Sequence, residues 1–139
     1  MDPDRPPRCR PLPAHVVESM AASEPFASHP EVLDRLDAAL AAPDDGGDPC
    51  LVTGAGWIAE EALATALLCA VRHAGDPVTA LARAATTSGD SDSIACLTGA
   101  VLGASHGMTA WPPEWAGRIE YADQLDALGR SWNRRATAV

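Results

Sequence analysis

Aromatic residues make up only 4% of this 139-residue sequence, although 47% of it is hydrophobic. Runs of β-branched residues are missing as well, so the usual signature of strands is absent. The apolar content is mostly Ala, Leu and Val, a composition that suits close-packed helices. Basic residues are scarce: ten Lys and Arg against 19 Asp and Glu leave a net charge of -9. That balance excludes a general nucleic-acid footprint, which needs a basic face. It fits a soluble protein, with or without a cation to hold. No apolar run is long enough to span a membrane, and the opening MDPDRPPRCRPLP lacks the hydrophobic centre of a signal peptide. Cys9, Cys50, Cys69 and Cys96 form no CxxC pair and no Cys/His set at zinc-ligand spacing. Cys69 and Cys96 fall in apolar helical stretches, where a buried free thiol is expected. The compartment this implies is a reducing cytoplasm. The length accommodates one modest domain.

Within that frame, residues 1–13 carry five prolines and three arginines without periodicity and read as a flexible arm. From Ala14 the pattern turns helical, and a short amphipathic stretch through His15, Val16, Val17, Ser19 and Met20 ends before Pro25. Ser28 and Glu31 have the spacing of a capping box. Val32, Leu33, Leu36, Ala39 and Leu40 then form one buried helical face, which Pro43 stops. The segment Asp44–Pro49 is a loop signal, and Asp44-Asp45 reads as solvated. Residues 57–72 carry the strongest helical pattern, apolar round most of the circumference, so this helix belongs at the centre of the bundle. Gly75 closes it. Asp76 with Pro77 opens the next helix, which continues to Ser88-Gly89. A further helix, IACLTGAVLGASHG, carries Gly99 and Gly103 four apart, the pattern of close approach by a neighbouring backbone. A short turn at Trp111–Trp115 and an amphipathic helix from Tyr121 to Trp132 complete an all-α reading, with 133–139 as a tail.

Chemistry concentrates at Gly89-Asp90-Ser91-Asp92-Ser93. Two carboxylates one residue apart, ahead of a helix, can point to the same side. Their hard oxygens, with the Ser93 hydroxyl, suit Mg²⁺, Ca²⁺ or Mn²⁺. Gly89 lets the backbone turn without a Cβ clash. The same residues also read as a plain helix cap, since Asp and Ser are favoured there and the dipole favours acid. His15, His29, His73 and His106 share no ligand spacing and read as surface or capping residues. Glu60 and Glu61 either reach the acid motif from the central helix or stay structural, one facing solvent and the other in an N-terminal turn that favours acid. Trp111 and Trp115 either anchor a short helix or wall a nucleotide pocket.

The ordered set GWIAEEAL at 56–63, GDSDSIACLTGAVLGASHG at 89–107 and Trp111-Pro112 to Trp115 resembles the C-terminal half of the ADP-ribosylglycohydrolase family. The counterparts of that family's motifs are Asp90, Asp92 and Ser93, then Gly99-Ala100 and Gly103-Ala104, then Pro112-Pro113-Glu114-Trp115. The resemblance spans roughly residues 30–132 and implies a compact orthogonal helical bundle, with a partial family domain over 14–132. It implies that Asp90, Asp92 and Ser93 ligate part of a two-metal Mg²⁺ or Mn²⁺ centre. It further implies hydrolysis of the bond between ADP-ribose and a modified protein side chain. Ser93 stands where the family usually has threonine, which keeps the hydroxyl and loses the β-branch restraint. The family's N-terminal Thr-Asp-Asp cluster has no counterpart ahead of Gly54. The chain therefore reads as the back half of an enzyme, truncated, split or degenerate. A complementary N-terminal fragment or self-association is expected, through apolar surface uncovered on the central helix. No catalytic residue and no organic cofactor site is singled out. The alternative is a non-catalytic helical interaction module that retains the fold.

Overall fold

The structure is a computed structural model that describes residues 18–19, 22–24 and 26–136. The arm expected over 1–13, most of the stretch expected over 14–20 and residues 137–139 of the tail lie outside the described residues. Seven α-helices follow in order: α1 (Pro30–Ala41), α2 (Cys50–Thr53), α3 (Ala59–Arg72), α4 (Pro77–Ala85), α5 (Ser91–His106), α6 (Pro113–Ala116) and α7 (Ala122–Ala136). Among the described residues a 3-10 turn at Phe26–Ser28 precedes α1 and another at Gly107–Ala110 follows α5. Among the described residues there is no strand, as the composition implies, and no helix long and apolar enough to cross a membrane.

α3 is the central helix, with α1, α4 and α5 packed around it. Its residues from Ala64 to Ala70 are all buried. Leu67 and Leu68 meet Leu36 and Ala39 of α1 on one side. Ala66 and Cys69 meet Ala84 of α4 and Ile94 of α5 on another, and Ala70 meets Ala80 and Leu102. The small alanines let the helix axes approach, which is how a chain with so few rings fills its core. Burial pushes the Cys69 thiol up to about 11, so it packs as an inert small apolar group. Cys96 departs from expectation: it faces outward from α5 and is exposed.

The helix ends match the sequence in part. Asp76 caps α4, its carboxylate accepting the Thr79 N–H at 3.0 Å and the Thr79 hydroxyl at 2.7 Å. The capping box at Ser28 is not formed. Pro30 takes the first helical position, His29 becomes the cap residue without a side-chain cap bond, and the Ser28 hydroxyl donates to Glu24 instead. A proline at the first turn gives up a donor no cap needs, so the start shifts past Ser28. Gly75 is not a left-handed terminus; the positive-φ glycines among the described residues are Gly46, Gly54, Gly56 and Gly107.

Gly99 and Gly103 also have a different reason from the one their spacing suggests. A Cβ on Gly99 would sit 3.7 Å from Leu81 Cδ1, and one on Gly103 would sit 4.0 Å from Trp111 Nε1, both side-chain contacts at ordinary distance. No backbone crowds them. Each Gly→Ala change in α5 is therefore expected to stabilise the protein by roughly 0.5–1 kcal/mol, through the unfolded chain's lost freedom. Thermal unfolding monitored by circular dichroism checks this, and a lower midpoint in either variant would show a contact tighter than the distances indicate.

Apolar surface is left open, though not on the central helix, which its neighbours cover. It lies at Leu51, 82% exposed, Trp57, 74%, and Ile58, 48%, on the segments leading into α3. A second stripe runs along α7, where Leu125, Leu128 and Trp132 stand more than half exposed.

Candidate metal centre

α5 begins where the sequence places the acid motif. Asp90 occupies the cap position, yet its carboxylate makes no cap hydrogen bond. The contrast with Asp76, which caps α4 fully, matters. An Asp at a helix start ordinarily spends its carboxylate on the first-turn N–H groups, and Asp90 does not. Asp92 follows in the first turn, exposed, and Ser93 beside it is exposed too. The Asp92 carboxyl is held below the usual Asp range. The largest cause is a hydrogen bond shared with the Asp90 side chain, followed by the N–H groups of Asp92 and Ser93. That contact makes the two carboxyl groups neighbours, which their one-residue spacing permits.

The backbone under this pair is fixed from two directions. Ala55, in the loop between α2 and α3, accepts the Asp90 N–H at 2.8 Å. A Cβ on Gly89 would lie 2.6 Å from the Ala55 carbonyl carbon and nearer still to its oxygen. Gly89 is therefore required by a neighbouring backbone rather than by its own φ. Gly56, at φ 79, lies against α5 in turn: a Cβ there would come within 2.8 Å of Ile94 Cδ1 and 3.6 Å of Asp90 Cβ. From the other side, Asp48 spans two segments. Its Oδ1 accepts the Cys50 N–H at 3.1 Å, and its Oδ2 accepts the Ser88 N–H at 3.0 Å. Burial works against the charge on Asp48, but the Ser88 hydroxyl and the N–H groups of Cys50 and Ser88 hold its carboxyl below the usual range.

Sequence reading missed Asp48 altogether, because a carboxylate in a Gly-rich loop looks solvated. Asp44 and Asp45 of the same loop are indeed exposed. Glu61 is also placed by the structure in a way its local sequence hides. Its carboxylate accepts the Gly56 N–H at 3.1 Å and pairs with Arg35 at 3.5 Å. Among the described histidines, His29 pairs with Glu31, and His106 bonds through Nδ1 to the Leu102 carbonyl; His15 lies outside the described residues. Trp111 and Trp115 stack on each other, their ring centroids 6.2 Å apart, and so anchor the α6 turn.

A divalent cation between two neighbouring carboxyl groups would take the place of a shared proton and offset the repulsion of their charges. The donor set Asp90, Asp92 and Ser93 is all oxygen, the chemistry of a hard cation. It supplies one edge of such a site. Among the described residues no group of three His, Cys, Asp or Glu side chains is placed to enclose an ion, so an ion held here would need its remaining ligands from water or another segment. The residues fit one side of a metal centre.

A family model described as ADP-ribosylglycohydrolase matches residues 10–138. No curated protein and no solved structure matches the sequence.

Proposed function

Because the chain belongs to the ADP-ribosylglycohydrolase family, we propose that it removes ADP-ribose from modified protein side chains, with Asp90, Asp92 and Ser93 as one side of a two-metal centre. The family supplies the hydrolase class. The observation that carries the metal assignment is the Asp90 carboxylate, which sits at a helix cap position without capping and stands beside Asp92. Mg²⁺ or Mn²⁺ is the ion this oxygen set would hold. When bound, such an ion polarises the scissile linkage and lowers the pKa of a bound water.

In this reading the chain's own part is to orient ligands. Asp90, Asp92 and Ser93 hold the cations, while the packed loop at Gly54–Gly56 keeps their backbone still. The other ligands and the catalytic acid come from a further segment carrying a Thr-Asp-Asp cluster. The exposed Leu51, Trp57 and Ile58 on the segments leading into α3 support a partner, either that complementary segment or a second copy of the chain. Free thiols at Cys50, Cys69 and Cys96 fit work in a reducing cytoplasm.

The test is calorimetric titration of Mg²⁺ and Mn²⁺ into the wild type and into Asp92→Ala. Weak binding by the wild type is expected, and its loss in the variant. Release of ADP-ribose from a modified protein should then depend on the same residue once the complementary segment is added. The same open apolar surface favours a second reading, a helical interaction module without catalysis. Absence of binding by either protein, together with a monodisperse monomer in light scattering, would leave neither the centre nor the partner standing. Absence of binding by a protein that still associates would put the interaction module first.

A further inference from the structure

The Glu61 side chain is buried for most of its length, 15% exposed, although glutamate in the first turn of a helix ordinarily points to solvent. Its surroundings explain where it goes. Gly54 has φ 103 and Gly56 has φ 79, so the loop between them curls around the Glu61 carboxylate. A Cβ on Gly54 would stand 2.5 Å from Glu61 Cγ, so the side chain runs directly across the position that glycine leaves open. The far end then accepts the Gly56 N–H at 3.1 Å, and Arg35 of α1 pairs with its other oxygen at 3.5 Å. On its opposite face the same three-residue loop gives the Ala55 carbonyl to the Asp90 N–H at 2.8 Å.

We infer that Glu61 is a positioning residue for the acid pair, acting through the Gly54–Gly56 loop on the Asp90 backbone. The inference rests on the metal-centre reading for its consequence, though not for its geometry. The chain of contacts runs Arg35 to Glu61, Glu61 to the Gly56 amide, and the Ala55 carbonyl to the Asp90 amide. The first and last links join segments far apart in sequence, the middle one is local, and the loop is too short to bend without moving both of its faces. If the carboxylate is lost, the Gly56 N–H loses its partner and the two positive-φ glycines lose the group they wrap. Ala55 then no longer presents a fixed carbonyl to Asp90. Groups that orient metal ligands from outside typically change metal affinity 10–100-fold when removed.

The experiment uses the full chain with Glu61→Ala and Glu61→Gln. Two readouts are taken: Mn²⁺ affinity by calorimetry, and the hydrogen-exchange protection of the Asp90 amide without metal. In Glu61→Ala, protection of the Asp90 amide should fall at least tenfold and Mn²⁺ binding should weaken by about 10–100-fold. Amides in the middle of α3 should keep their protection, which separates a local effect from general loosening. Glutamine keeps an oxygen for the Gly56 N–H, so Glu61→Gln should return both readouts to within about threefold of wild type. Unchanged Asp90 protection in Glu61→Ala overturns the inference, whatever the metal does. So does a glutamine variant as impaired as the alanine one. Reduced Asp90 protection in a protein whose wild type binds no Mn²⁺ supports the positioning role and sinks the metal reading instead.

Discussion

Replacing Gly89 with alanine is expected to lower the thermal midpoint by about 10 °C and to weaken Mg²⁺ or Mn²⁺ binding at least ~10-fold. The added methyl group would meet the Ala55 carbonyl, with the carbon at 2.6 Å. A flexible side chain can swing away from such a contact, but a backbone carbonyl held in a hydrogen bond cannot. Either the Gly54–Gly56 loop retreats or the start of α5 does. Both break the 2.8 Å bond from the Asp90 N–H to Ala55 and leave a partly buried donor unpaired. Overpacking of this kind costs about 1–3 kcal/mol and more where backbone must move, and an unsatisfied buried amide adds about 1–3 kcal/mol. The φ of Gly89 lies outside the left-handed region, so the expected penalty is steric. Gly99→Ala, inside α5 and predicted to stabilise, is the control. Thermal denaturation and calorimetry on the two variants decide the matter. Equal midpoints would mean that residue 89 does not carry Ala55 against it.

How much of this was legible beforehand divides along sequence distance. Local signals located the helices well. The apolar pattern over 57–72 yields α3, Asp76-Pro77 yields the start of α4, and the Gly89–Ser93 motif yields the start of α5. The acid pair belongs with these, because two carboxylates one residue apart at a helix start can point to the same side. What holds the pair is another matter. Asp48 reaches Ser88 over 40 residues, and Ala55 reaches Asp90 over 35. No periodicity within either segment encodes such contacts. Gly89 illustrates the boundary: its lack of a Cβ is required, as expected, but by a carbonyl from a remote loop.

Gly99 and Gly103 illustrate the same boundary from the other side. Helix-interior glycines four apart suggest a crossing backbone, yet their neighbours are the Leu81 and Trp111 side chains. Cys96 and Cys69 lie 27 positions apart in equally apolar sequence, and only the packing of α3 between its neighbours decides that one is buried and the other exposed. The family resemblance reached further than the residue patterns because it carries long-range arrangement implicitly. It too gave no role to Glu61 or Asp48.

The second large effect is expected at Ile94, and it separates support of the acid pair from support of the fold. Ile94 is fully buried on the first turn of α5, and its N–H bonds to the Asp90 carbonyl at 3.0 Å. Its side chain fills the space directly beneath Gly56, within 2.8 Å of where a Cβ would stand. Ile94→Ala should cost about 2–5 kcal/mol, the range for removing a large aliphatic group from a core, and Ile94→Val about 0.5–1.5 kcal/mol. Leu67→Ala, at a site 1% exposed against Leu36 and Ala39, should cost as much. The two alanine variants differ in what the lost volume touches. At Leu67 the cavity opens between α1 and α3, on the flank of α3 that packs away from Ile94. At Ile94 it opens under the loop that presents Ala55 to Asp90, so the loop settles and the carboxylates lose their fixed spacing. Measured well below both unfolding midpoints, Mn²⁺ affinity should fall about tenfold in Ile94→Ala and hold in Leu67→Ala. Equal losses in the two would make the acid pair a passive rider on global stability, and the packed loop would then have no part in shaping it.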